Sequence, residues 1–175
     1  MFAGAISYRK GVDVLLEAFG RVEQLMPGAA TLLLVGPRGD ADARLHHVKS
    51  GLVETLPPVP QAELRHIYCR ADCLVLPSRH DSFGMVVAEA MACGLPAIVS
   101  GMVGARDMIE DGANGWVLPL GDAAALAERM TWCVQNRDAV AAMRPKARAA
   151  AERQSWEAYR LRLANLLRTL PGNGR

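Results

Sequence analysis

Pro77–Ser100, PSRHDSFGMVVAEAMACGLPAIVS, decides the fold. It reads as the end of one buried strand, a polar loop, a helix over Phe83–Cys93 and a second buried strand. The helical stretch is apolar on every face except at Glu89, the mark of a core helix. A lone carboxylate there is costly unless something hydrogen-bonds it. Its neighbours one turn away, Met85, Val86, Ala92 and Cys93, cannot pair with it. Glu89 therefore requires backbone amides or ligand hydroxyls from elsewhere. Asp81 stands in the loop ahead of the helix, where unpaired amides and the helix dipole favour an anion. Its plainer reading is a helix cap. Eight residues separate the two carboxylates, about 12 Å at a helical rise of 1.5 Å per residue.

Outward from this block, short apolar runs alternate with helical patterns. Strands are expected at Phe2–Ile6, Thr31–Val35, Leu52–Leu56, Cys73–Leu76, Ala97–Ser100 and Trp116–Leu118. Helices are expected near Val12–Leu25, Ala41–Lys49, Gln61–Cys69, Phe83–Cys93 and Arg106–Asp111. This alternation predicts an α/β fold, a doubly wound parallel sheet of about six strands with helices on both faces. After Pro119 the pattern is wholly helical, at Ala123–Gln135, Asp138–Arg153 and Trp156–Leu170, and the ends at Gly172–Arg175 read as frayed. Length and the absence of a linker predict one domain over residues 1–175.

Ligands of such folds bind outside the carboxyl ends of the strands. The loops at that edge are Ser7–Gly11, Pro37–Asp40, Pro57–Gln61, Ser78–Gly84 and Gly101–Arg106. Arg9 and Lys10 sit there, just before a helix. Two cations at a helix N-terminus are misplaced unless an anion joins them, and a diphosphate would satisfy both the cations and the free amides. A solvated basic loop is the plainer alternative. His80 adjoins Asp81 but has no second acid or nucleophile in sequence reach, and it reads as a surface or structural residue. His46, His47 and His66 lack metal spacing.

Composition narrows the classes. Net charge is +2, with no run of five or more like charges, which argues against a nucleic-acid binder. Half the residues are apolar, at 51%, as suits buried parallel strands. Cys69, Cys73, Cys93 and Cys133 form no CxxC pair and read as small core residues in a reducing compartment, so no zinc site is expected. The N-terminal residues lack a secretory pattern, and the longest apolar run, Phe83–Val99, is interrupted by Glu89, Gly94 and Pro96. A cytoplasmic location without a transmembrane segment is expected.

Taken in order, GAISYRKGVDVLLEAF (4–19), LLLVG (32–36), LRHIYCRADCLVLP (64–77), the block at 77–100 and DGANGWVLP (111–119) resemble the retaining, nucleotide-sugar-dependent glycosyltransferases of family 4. These have a GT-B architecture of two facing Rossmann-like domains, and the likeness covers nearly the whole chain. It implies the C-terminal, donor-binding half, with the N-terminal acceptor domain absent or supplied by a partner chain. The donor would be a UDP, GDP or ADP type nucleoside-diphosphate sugar and the transferred group a hexosyl, with no cofactor and no metal.

By the same likeness Lys10 is the diphosphate-binding lysine, with Arg9 beside it. Asp81 touches donor-sugar hydroxyls and Glu89 holds the ribose; together with Lys10 they are the catalytic set. Ser82, Phe83 and Gly84 offer backbone amides to the phosphates, and Phe83 itself reads as core. Met85 and Val86, on the first turn of the helix, either touch the nucleoside or pack in the core, and Gly104 lets the backbone approach the donor. Arg106 is either a phosphate ligand or a plain surface residue. The base edge falls to the backbone of Val59–Gln61. The sequence departs from the family at Ala5, usually an Arg, and at Asp81, usually a Glu. Those departures keep open a degenerate nucleotide-binding or interaction domain without turnover, and half of a nucleotide-sugar epimerase is a third reading. In the family the last helix packs on the other half. An apolar stripe of Trp156, Tyr159, Leu163, Leu166, Leu167 and Leu170 therefore predicts exposure and a homodimer.

Overall fold

The structure, a computed structural model, describes residues 1–47 and 51–169. The expected helix to Lys49, the end of the Trp156–Leu170 stripe and the tail at Gly172–Arg175 run outside the described residues. Six short strands are all parallel: β1 (Phe2–Ala3), β2 (Leu32–Val35), β3 (Val53–Leu56), β4 (Leu74–Leu76), β5 (Ala97–Ser100) and β6 (Gly115–Leu118). They form two three-stranded sheets, β1-β2-β3 and β4-β5-β6, rather than the single six-stranded sheet expected from the sequence. The reason lies at β1. It contributes two residues where the pattern suggested five, because the backbone turns at Gly4, whose φ is +143°. Met1 bridges the two sheets. Its ammonium donates to the Cys73 carbonyl at 2.7 Å and its carbonyl accepts from Val75 at 2.8 Å.

The central strands are apolar on both faces. Every residue of β4 and β5 is buried, whereas β3 alternates between half-buried and exposed as an edge strand does. The helices are α1 (Val12–Leu25), α2 (Gln61–Arg70), α3 (Met85–Ala92), α4 (Ala123–Gln135), α5 (Arg137–Ala142), α6 (Arg144–Glu152) and α7 (Trp156–Thr169). Helix α1 packs on α4, while α3 packs on α2 and α6. The expected helix at Asp138–Arg153 is broken at Met143, and α6 restarts with Pro145 in its first turn. A proline is tolerated there but not inside a helix. Short 3₁₀ segments at Asp42–His47 and Gly104–Met108 replace two expected α-helices.

Helix α7 buries none of its residues, and Trp156, Tyr159, Leu163, Leu166 and Leu167 all face outward. Cys69 is exposed and the other three cysteines are half-buried free thiols, so they are less interior than the sequence suggested. Among the described residues no helix is long and apolar enough to cross a membrane.

Candidate functional site

Parallel pairing puts the carboxyl ends of all the strands on one edge, and the loops there interlock. Gly11 has φ +72°, and a Cβ on it would collide with the Pro77 carbonyl. The loop after β1 therefore rests directly on the end of β4. The backbone N–H of Arg79 donates to Arg9 O at 2.8 Å, and an Arg9 guanidinium nitrogen donates to His80 O at 3.3 Å. Between them the Lys10 ammonium forms a hydrogen-bonded ion pair with Asp81. Both side chains are largely shielded, at 15% and 13% exposure. Asp81 is therefore an ion-pair partner rather than the helix cap that its position allowed.

The loop from Asp81 is tied in turn to the loop after β5. Asp81 donates its N–H to Met102 O at 3.2 Å, and its carbonyl accepts from Gly104 at 3.1 Å. Ala105 donates to Phe83 O at 2.6 Å. Helix α3 starts at Met85, two residues later than its apolar pattern suggested. Gly84 stands ahead of it in the left-handed region at φ +85°, and no side chain caps the helix. Among the described residues the N–H groups of Ser82, Phe83 and Gly84 donate to no backbone carbonyl. That leaves a row of free amides at a helix start, the arrangement that binds anions.

Two sequence readings change here. Phe83 is 41% exposed rather than core, and Met85 is 47% exposed, so α3 is apolar all round without being buried all round. The glycines also serve the protein before any ligand. A Cβ on Gly104 would meet the Ser82 carbonyl, and one on Gly84 would meet Val103 Cγ1 at 2.7 Å. Close backbone packing explains Gly104, and a left-handed φ beside the Val103 side chain explains Gly84, whereas the sequence suggested ligand approach.

Glu89 lies one helical turn beyond Met85, and its partners are side chains on α2. Tyr68 Oη donates to Glu89 Oε2 at 3.3 Å and Gln61 Nε2 donates to Oε1 at 3.4 Å. Burial, together with the adjacent carboxylate, pushes the Tyr68 phenol well above its ordinary range, which keeps it a donor. Sequence reasoning missed Tyr68 and used only the backbone of Gln61. The two are seven residues apart, on one face of α2, but nothing local says that the face meets Glu89. Arg106 donates to Gly101 O and lies 3.7 Å from Asp107, half-exposed, as a loop brace.

All the candidate residues thus line one edge, with Arg9, Lys10 and Asp81 together and Glu89 further along α3. A cavity of about 630 Å³ lies elsewhere. Met1, Thr31, Cys73, Cys133 and Arg137 line it at the amino ends of the strands, and no candidate residue borders it. Among the described residues no cluster of His, Cys, Asp or Glu could hold a metal ion.

Comparison with known proteins bears on the family and the fold. Residues 1–136 match the family model described as glycosyl transferases group 1. The chain is 34% identical to a D-inositol 3-phosphate glycosyltransferase of Streptosporangium roseum, covering 95% of this chain and 41% of that protein. It is 31% identical to the Corynebacterium urealyticum enzyme of the same name, with 97% and 42% covered. The chain thus spans about two fifths of the length of the curated relatives it matches. Among solved structures, HepE of Anabaena in complex with UDP superposes with a TM-score of 0.78 at 25% identity, over 97% of this chain and 49% of that one. Sucrose-phosphate synthase of Thermosynechococcus elongatus gives 0.81 at 26%, over 97% and 44%.

Proposed function

We propose, for a chain that belongs to the group 1 glycosyl transferases and has their GT-B Rossmann-like fold, that it is the C-terminal, donor-binding half of a retaining family 4 enzyme. The observation that carries the proposal is the single edge bearing Lys10, Asp81, Glu89 and the free amides of Ser82–Gly84. In this reading the diphosphate lies on those amides and on the Lys10 ammonium, with Arg9 supplying the second cation that Ala5 does not. Glu89, already oriented by Tyr68, takes the ribose hydroxyls, and Met85 flanks the nucleoside. The donor sugar meets Asp81, and the leaving diphosphate takes over Lys10 from the Asp81 carboxylate.

Cations and amides aimed at the leaving group stabilise the charge that develops on it, which is the larger part of such catalysis. Front-face displacement with retention at a hexosyl carbon is the reaction proposed for the whole enzyme. The acceptor half is supplied from outside residues 1–175, in the same chain or by a partner. Relatives of known structure bind UDP and UDP-glucose, so a uridine donor is tested first.

The test is calorimetric titration with UDP, GDP and ADP, repeated with Lys10→Ala and Glu89→Gln. Each substitution removes a charge-assisted contact worth about 1.5–3 kcal/mol, so tenfold or greater weakening is expected from each. Absence of binding to all three would favour the reading of a degenerate interaction domain, to which the missing arginine at Ala5 already points.

A further inference from the structure

We infer that Arg79 is a positioning residue: through Asp13 and the Tyr8 and Arg9 carbonyls it holds the loop bearing Lys10, and so sets how well this edge takes a diphosphate. The inference rests on the donor-site reading above. Lysine is a point charge on a flexible stem, so its aim depends on the backbone that carries it. Residues 8–13 are that backbone, and Arg79 bonds to three of them. Its guanidinium forks onto the Asp13 carboxylate at 2.6 and 2.8 Å, and the nitrogen at 2.6 Å also donates to Tyr8 O at 2.6 Å. Its backbone N–H reaches Arg9 O at 2.8 Å. From the far side Asp40 accepts from the Tyr8 N–H at 2.9 Å.

The segment is therefore pinned at Tyr8, Arg9 and Asp13, with Lys10 between the pins and its ammonium on Asp81. Bidentate guanidinium–carboxylate pairs fix orientation as well as distance. Both terminal nitrogens of Arg79 are committed to this fork, which separates its role from that of a phosphate ligand. Asp13 occupies the first turn of α1, with its carboxylate 18% exposed. Neither residue had a role in the sequence argument, because they are 66 positions apart.

The test is a thermodynamic cycle on the full chain, with UDP binding followed by NMR to millimolar concentration. Arg79→Ala is expected to weaken UDP at least tenfold, and Asp13→Ala to do the same. Added to Lys10→Ala, Arg79→Ala is expected to cost less than a further twofold, since it acts through Lys10. A full tenfold loss in that background would make Arg79 a direct ligand and overturn the inference. Amide hydrogen exchange without nucleotide provides a second arm. In Arg79→Ala the Lys10 and Gly11 amides should exchange at least tenfold faster while β5 is unchanged. Equal exchange and equal UDP affinity would reduce the fork to a surface ion pair. A wild-type chain that binds none of UDP, GDP and ADP would instead defeat the donor-site reading and with it the claim on affinity. The exchange arm would then judge the anchoring of the loop by itself.

Discussion

At the scale of single residues, Glu89 and Lys10 each resolve a conflict that the sequence announces. A carboxylate in an apolar helix and a cation at a helix start both need partners. The structure supplies Tyr68 and Gln61 to the first and Asp81 to the second. Tyr68→Phe removes a buried hydroxyl that orients Glu89. It should lower stability by about 1 kcal/mol and weaken nucleoside diphosphates about three- to tenfold, as read by calorimetry beside thermal unfolding.

Asp13 allows a pH prediction. Partial burial pushes its carboxyl up, but the Arg79 hydrogen bond and charge, with hydrogen bonds from the Asp13 and Val14 backbone, together hold it below the ordinary 3.8. A depressed acid stabilises the fold fully above its unfolded value and loses that contribution as pH falls through the lower folded value. The unfolding midpoint of Asp13→Asn should therefore lie below wild type at pH 7 and converge with it below pH 3.8. The half-exposed pair is worth about 1 kcal/mol after screening. The needs of Lys10 and Glu89 were legible because they are local. Tyr68, Gln61 and Arg79 were not, because the partners that define them lie 21 to 71 positions away.

At the scale of elements, periodicity located β5, α1 and α4 to the residue and misjudged the starts set by single glycines and prolines. Helix α3 is the instructive case. Its apolar run includes Phe83, yet Gly84 in the left-handed region delays the helix to Met85 and turns Phe83 outward. Gly84→Ala would force a Cβ to 2.7 Å from Val103 Cγ1 at a φ that L-residues avoid. A cost of about 1–3 kcal/mol follows, seen as a fall of about 2–4 °C in midpoint per kcal/mol. The shortened β1 has the same origin in Gly4, and it leaves two three-stranded sheets where the alternation of patterns suggested one.

At the scale of the whole molecule, the edge carrying Lys10 and Asp81 and the exposed helix α7 are the features that bear on partners. Leu163, Leu166 and Leu167 expose 40–59% of their surface, and exposed apolar patches of this kind drive association. The 175-residue chain is expected to self-associate, and Leu163→Glu with Leu167→Glu to return it to monomer in sedimentation or light scattering. A wild-type monomer would remove the homodimer from the account. The parallel order and the helical C-terminal stretch could be read from the sequence because they repeat over many residues. Which half-site faces which partner is not encoded in any local pattern. The most direct measurement is a crystal structure of the chain with UDP. The ribose is expected on Glu89, the phosphates on the Ser82–Gly84 amides and Lys10 drawn from Asp81 toward them. A nucleotide bound in the cavity around Met1 and Cys133, or lying reversed along α3, would contradict it.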